Sequence, residues 1–221
     1  MYHSIGGNAD GDARGLYSVK PDAFRTQMNI LRDRSISGRS SVVPFGSEHP
    51  GTISITFDDG YLDNLTVAAP ILVDRGIPFH VFLCPNFIES GRPEFLSRAD
   101  VIELAAIDGV SLGVHGYSHA PLTALDVNDL QSELFRSRKW LEDLIQRPVT
   151  TMSYPHGAID FKVSQAAMEN GFTRAACSKF GPIIQPLHAL RIPRIDIWST
   201  DSDKSFVAKI NGEWDWMKWR T

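Results

Sequence analysis

Runs of β-branched apolar residues alternate with stretches of helical periodicity along this whole chain, about six or seven times, with no linker or low-complexity segment between them. Residues 52–57 (Thr-Ile-Ser-Ile-Thr-Phe) follow Pro50-Gly51 and read as a buried strand. Leu65, Ala68, Ala69 and Leu72 carry helical spacing through 65–75, and Gly76 and Pro78 stop it. A strand at 79–83, a helix near 98–107 and a strand at 110–114 follow. The clearest helix covers 128–146, with Leu130, Leu134, Leu141, Leu144 and Ile145 on one face and Glu133, Arg136 and Glu142 placed largely elsewhere. Pro148 opens a strand at 149–154, a helix near 161–170 ends at Gly171, and strands at 172–177 and 190–197 complete the series. Upstream, 21–34 reads as a helix capped by Ser18 or Pro21, and Tyr2-His3 as the end of a short first strand. Helices of this length serve as crossovers between parallel strands. The expected fold is one α/β domain over residues 1–221, a barrel or near-barrel rather than an open sheet.

A chain of 221 residues, 43% of them hydrophobic, can bury a sizeable core without staples. Its 22 basic and 26 acidic residues give a net charge of −4 with no basic run, so nucleic acid is not an expected partner. No apolar run reaches membrane-spanning length and no leader pattern follows Met1, so the expected location is cytoplasmic. Cys84 and Cys177 each follow an apolar run, lack Cys-x-x-Cys spacing, and are read as buried free thiols.

Three polar clusters sit where an apolar strand runs out at its C-terminal end, the rim at which α/β folds gather their chemistry. The first is Asp58-Asp59-Gly60. Adjacent carboxylates repel unless a cation or a shared proton relieves them, and strand neighbours point to opposite faces, so the pair needs the turn at Gly60 to converge. Helix capping or an Asp-Gly turn is the competing reading. The second is His115-Gly116-Tyr117-Ser118-His119, two imidazoles at a spacing that lets both reach one metal from a tight turn. The third is Ser153-Tyr154-Pro155-His156-Gly157, where Pro155 and Gly157 allow a sharp turn that points backbone N–H groups at a ligand. One carboxylate and two imidazoles make the ligand set of a catalytic metal site, leaving the other Asp as a general base. That combination points to hydrolysis of an acyl group.

Taken with Thr56-Phe57 and the connecting Arg191-Ile192-Pro193-Arg194-Ile195-Asp196, these motifs resemble the polysaccharide deacetylase (NodB-homology, carbohydrate esterase class 4) family over roughly residues 52–197. The resemblance implies a distorted (β/α)7 barrel. It implies Asp58 as general base, Asp59, His115 and His119 as ligands of one divalent metal, usually zinc, and the His156 backbone N–H as part of an oxyanion hole. The implied substrate is an N-acetylated sugar or oligosaccharide.

Two departures from the family pattern bear on the site. An Arg in the third motif orients the base in many members, and Ser153 occupies about that place here, so Arg194, next to Asp196, is the candidate substitute. The late Leu-x-x-His motif is absent after Asp196, whereas Tyr2-His3 is similar to the Tyr-His pair that a permuted branch carries at its N-terminus. His3 is therefore the expected general acid, with His188 as its rival. Hydrolysis of another C–N bond or an O-acetyl ester, and a non-catalytic carbohydrate-binding relative, stay open as alternatives. Trp198 is expected to line the substrate cleft, and Trp214, Trp216 and Trp219 to pack a terminal helix on the barrel.

Overall fold

The computed structural model of the chain describes residues 1–183 and 188–219. Strands β1 (Ser4–Ile5) and β2 (Ser18–Val19) precede helix α1 (Pro21–Ile36) and strands β3 (Ser41–Val42), β4 (Thr52–Ile53) and β5 (Ile55–Phe57). A wide π turn, Asn64–Ala68, leads into α2 (Ala69–Val73). Then come β6 (Phe79–Leu83), α3 (Pro85–Glu89), α4 (Arg98–Ala105), β7 (Val110–Val114) and α5 (Val127–Ile145). The series ends with β8 (Thr151–Ser153), α6 (Phe161–Glu169), β9 (Arg174–Phe180), β10 (Ile192–Arg194) and α7 (Asp203–Ile210).

The main sheet has the order β10-β9-β8-β7-β6-β5, parallel throughout. Strands that follow one another in sequence order without reversal wind one way and curl, where a doubly wound sheet turns back at a switch point. The N-terminal segment lies between the two edges. Tyr2 N–H donates to Thr56 O (2.8 Å) and Asp58 N–H to Tyr2 O (3.0 Å) on one side, and Ile197 N–H donates to Met1 O (3.1 Å) on the other. Chain start and last strand are thus neighbours, as the distorted barrel requires. Tyr2 anchors the closure: its ring packs on Phe24 and Phe57 at 5.2 and 5.6 Å, and its hydroxyl donates to Gln27 Oε1 at 2.9 Å.

All five residues of β6 are buried, as in a parallel strand covered on both faces. Side-chain caps set several helix starts: Ser97 and Asp100 form a reciprocal capping box at α4, and Asp126, Asp160 and Ser202 cap α5, α6 and α7. No described helix is long and apolar enough to cross a membrane.

Several expectations need correction. The strand read at 52–57 breaks at Ser54, whose hydroxyl donates to Val43 O at 3.0 Å; β4 pairs with β3 outside the main sheet, and only β5 belongs to the barrel. The helix read at 65–75 starts as a π turn, because Pro70 has no N–H to give the helical ladder. Helix α1 has Lys20 at its N-cap position, with no side-chain cap, and starts on Pro21. Helices α3 and α7 have no counterpart among the elements read from the sequence. Glu133, read as lying off the apolar face, is buried beside Leu130, Leu134, Ser137 and Leu141. Cys84 and Cys177 are buried free thiols. The Trp198 ring packs on the ammonium of buried Lys209 (4.2 Å), which Trp214 flanks at 5.0 Å. Trp216 is about half exposed, and the side chain of Trp219 lies outside the described residues.

Candidate active site

Asp58 directly follows β5, and the chain turns there through two left-handed residues, Asp59 (φ 75°) and Gly60 (φ 83°). That turn lets adjacent carboxylates face one centre. Gly60 is required: a Cβ there would lie 2.8 Å from Leu83 Cδ2. His119 (φ 65°) and His156 (φ 56°) share the left-handed backbone, so three of the four non-glycine residues with positive φ among those described belong to this site. Such conformations cost roughly 1–3 kcal/mol each and persist where surrounding contacts over-determine them.

His115 directly follows β7, its N–H donating to Leu83 O at 2.8 Å. Its Nδ1 lies 2.9 Å from Ser153 O and donates to it, which leaves the Nε2 lone pair facing Asp59. His115 Nε2 lies 3.6 Å and His119 Nε2 3.3 Å from Asp59 Oδ1. Donors around one tetrahedral cation with bonds of about 2.1 Å stand about 3.4 Å apart. Asp59 Oδ1 is buried with no hydrogen-bond partner, and one donor atom from each of the three residues lies within 4.8 Å of the others. These three side chains fit a divalent cation. Burial lowers the His115 pKa to about 4, which keeps the imidazole neutral. At Asp59 burial acts upward, but His119, His3 and His115 outweigh it and hold the carboxyl below its usual range.

Asp58 is bound differently. Arg194, at the end of β10, donates from Nη1 to Asp58 Oδ1 and from Nη2 to Oδ2, both at 2.7 Å. Nη2 also donates to Ser153 Oγ (2.7 Å), and that hydroxyl donates on to Asp58 Oδ2 (3.1 Å). Arg194 Nε donates to Cys177 O at 3.2 Å and Nη1 to Thr56 Oγ1 at 3.3 Å, so four residues on or just after three strands, β5, β8 and β9, hold the guanidinium plane. Burial pushes the Asp58 carboxyl up, and Arg194 and His115 more than reverse this, leaving it ionised well below the usual carboxylate range.

Around this pair the other expected residues gather. His156 sits in the turn after β8, with Nε2 at 3.2 Å from His119 O and its ring 4.5 Å from that of His119. Gly157 (φ 65°) lets this turn pass Ser178, whose Cβ would stand 2.7 Å from an added Cβ. His3 lies within electrostatic reach of Asp58, Asp59 and Asp196. Its carbonyl accepts from Asn64 Nδ2 (2.8 Å), and its ring packs on Tyr17 at 4.5 Å. Asp196 is half-buried, and desolvation raises its carboxyl above the usual range. His188 is exposed, on the loop before β10.

Sequence reasoning gave no role to three residues. Thr56 and Ser153 became part of the Arg194 network, and Tyr61 accepts from Asp10 N–H at 2.7 Å while stacking on Phe95 at 5.0 Å. Only Ser153 carried a signal, as the residue standing where the family pattern places an arginine. The site opens to solvent past His119, whose side chain is 22% exposed, and past exposed His156.

A family model described as polysaccharide deacetylase matches residues 46–175, more than half of the chain. The polysaccharide deacetylase homologue YxkH of Bacillus subtilis is 27% identical over 216 residues, 95% of this chain and 74% of that protein. A chitin deacetylase of Arthroderma benhamiae is 32% identical over 134 residues, 58% of this chain but 35% of the enzyme. Among solved structures, the Streptococcus pyogenes deacetylase PplD in complex with acetate superposes with a TM-score of 0.82 at 22% identity, covering 95% of this chain and 96% of that one. At that identity the likeness is one of fold.

Proposed function

From the premise that this chain belongs to the polysaccharide deacetylase family, we propose that it is a metal-dependent hydrolase that removes the acetyl group from N-acetylated sugar residues of a glycan. The observation that carries this reading is a buried carboxylate, Asp58, clamped by Arg194 and standing 3.8 Å from His115 Nε2, beside a cluster of three metal donors.

Asp59, His115 and His119 would hold the cation. When bound, it supplies Lewis acidity to an acyl oxygen and to water at neutral pH. Asp58 then accepts the proton of the water whose oxygen attacks the acyl carbon; the Arg194 clamp keeps it ionised and in one orientation. The His156 backbone N–H donates to the oxygen that gains charge as the carbonyl becomes tetrahedral. His3 gives a proton to the nitrogen as the C–N bond breaks, so acetate and a free amine leave. A carboxylate held ionised and oriented beside the donor cluster is what a hydrolytic base requires, which favours hydrolysis over binding alone.

The test is incubation of the zinc-loaded protein with N-acetylglucosamine oligomers, reading new free amines. Wild type is expected to produce them, and Asp58→Asn to lower the rate by about 10²–10⁴-fold. Acetate released only from O-acetylated xylan would replace the amide reading with the ester one. Oligomer binding without either product would leave a carbohydrate-binding relative.

A further inference from the structure

We propose that Glu133, on α5, is a positioning residue that sets the conformation of the His115–His119 turn and thereby its grip on a metal. This rests on the reading of Asp59, His115 and His119 as ligands. One atom does the work: Glu133 Oε1 accepts from Tyr117 N–H (2.8 Å), Ser118 N–H (2.6 Å) and Ser118 Oγ–H (2.9 Å). Successive backbone N–H groups converging on one anionic oxygen form an anion-binding nest, and charge-assisted bonds of this kind are the strong ones.

The rest of the turn is built around that oxygen. Gly116 (φ 67°) passes so close that an added Cβ would lie 3.3 Å from Glu133 Oε1 and 3.0 Å from Pro155 Cγ. The guanidinium of Arg136, the next helical neighbour on α5, lies 4.0 Å over the Tyr117 ring. From the other side, Tyr117 O accepts from Asn86 N–H at 2.9 Å. Tyr117 and Ser118 are thus held between α5 and α3, directly before His119 enters its left-handed conformation. Glu133 touches no reacting atom in this arrangement. It acts by holding the segment that joins two ligands, and loss of such an outer partner typically weakens metal binding about 10–100-fold.

The test is cobalt(II) titration of metal-free full-length protein, read by visible absorption, with wild type, His115→Ala and three Glu133 variants. Glu133→Ala is expected to weaken Kd about 10–100-fold and to alter the cobalt spectrum. Glu133→Gln keeps an acceptor oxygen at the same reach but loses its charge, and is expected to weaken Kd less than Glu133→Asp does. Glu133→Asp keeps the charge but withdraws the oxygen by one methylene, and is expected to bind about 10-fold more weakly. If Glu133→Ala does not fold, the Gln and Asp variants decide by themselves: Gln tighter than Asp supports the assignment. Cobalt bound by the Asp or Ala variant with wild-type Kd and spectrum overturns it, provided His115→Ala has lost binding. A wild type that binds no cobalt overturns the ligand reading and this inference with it.

Discussion

Arg194 and Asp58, 136 residues apart in sequence, meet at the barrel rim in a two-pronged ion pair, each carboxylate oxygen 2.7 Å from its own guanidinium nitrogen. Parallel N–H···O bonds fix the plane of a carboxylate as well as its position. Both side chains are at most 5% exposed, and burying two charges largely offsets their attraction, so the pair contributes orientation more than stability. It also separates the two adjacent aspartates. One is clamped by an arginine, and the other keeps a bare oxygen between two imidazoles.

Arg194→Lys keeps a positive charge but cannot bond both oxygens in one plane. The expected outcome is a fall in kcat of about 10²-fold, as small displacements of a catalytic group produce, with cobalt affinity unchanged. Steady-state kinetics beside a metal titration checks this. Wild-type kcat in the lysine variant would remove the orienting role.

His3 is assigned the proton for the departing nitrogen, and that role depends on the leaving group. His3→Ala is expected to slow release of acetate from an N-acetylated oligomer by about 10²–10⁴-fold. It should leave hydrolysis of p-nitrophenyl acetate nearly unchanged, because that phenolate departs without a proton. Equal losses on both substrates would assign His3 a structural role.

The polar cluster was more legible in the sequence than the backbone that brings it together. Asp58, Asp59, His115 and His119 stood out because charged and metal-ligating residues interrupt apolar strands at their ends. Arg194 was reachable only as a substitute for an expected arginine, since nothing local says that a residue of the last strand bends back to the first. The N-terminal segment was legible for a topological reason: in a closed barrel the first and last strands are neighbours. Glu133 was not. A glutamate on a long amphipathic helix reads as solvent-facing, although its position one residue before Leu134 and three after Leu130 puts it on the buried stripe. The left-handed backbones of Asp59, His119 and His156 left no trace either, because histidine and aspartate carry no sequence mark for positive φ comparable to glycine.

His80 provides a stability prediction away from the ligands. It is buried inside the barrel, Nδ1 2.6 Å from Ser111 Oγ and Nε2 3.1 Å from Thr151 Oγ1, and burial lowers its pKa from 6.5 to about 3. The unfolded chain therefore binds a proton that the folded chain refuses between those values. The stability is fully present above pH 6.5 and is lost as pH falls through this window. Between pH 7 and pH 5 the loss traceable to His80 is about 2 kcal/mol. Urea unfolding at the two pH values should show wild type losing about that much more than His80→Gln. Parallel losses in the two proteins would contradict it.

The most direct test of the central claim is metal content and acetate release measured in the same samples of purified wild type and His115→Ala, with N-acetylglucosamine oligomers as substrate. The account predicts about one divalent ion per wild-type chain, with metal and acetate release lost together in the variant. Acetate release at the wild-type rate from a His115→Ala protein that holds no metal would contradict it.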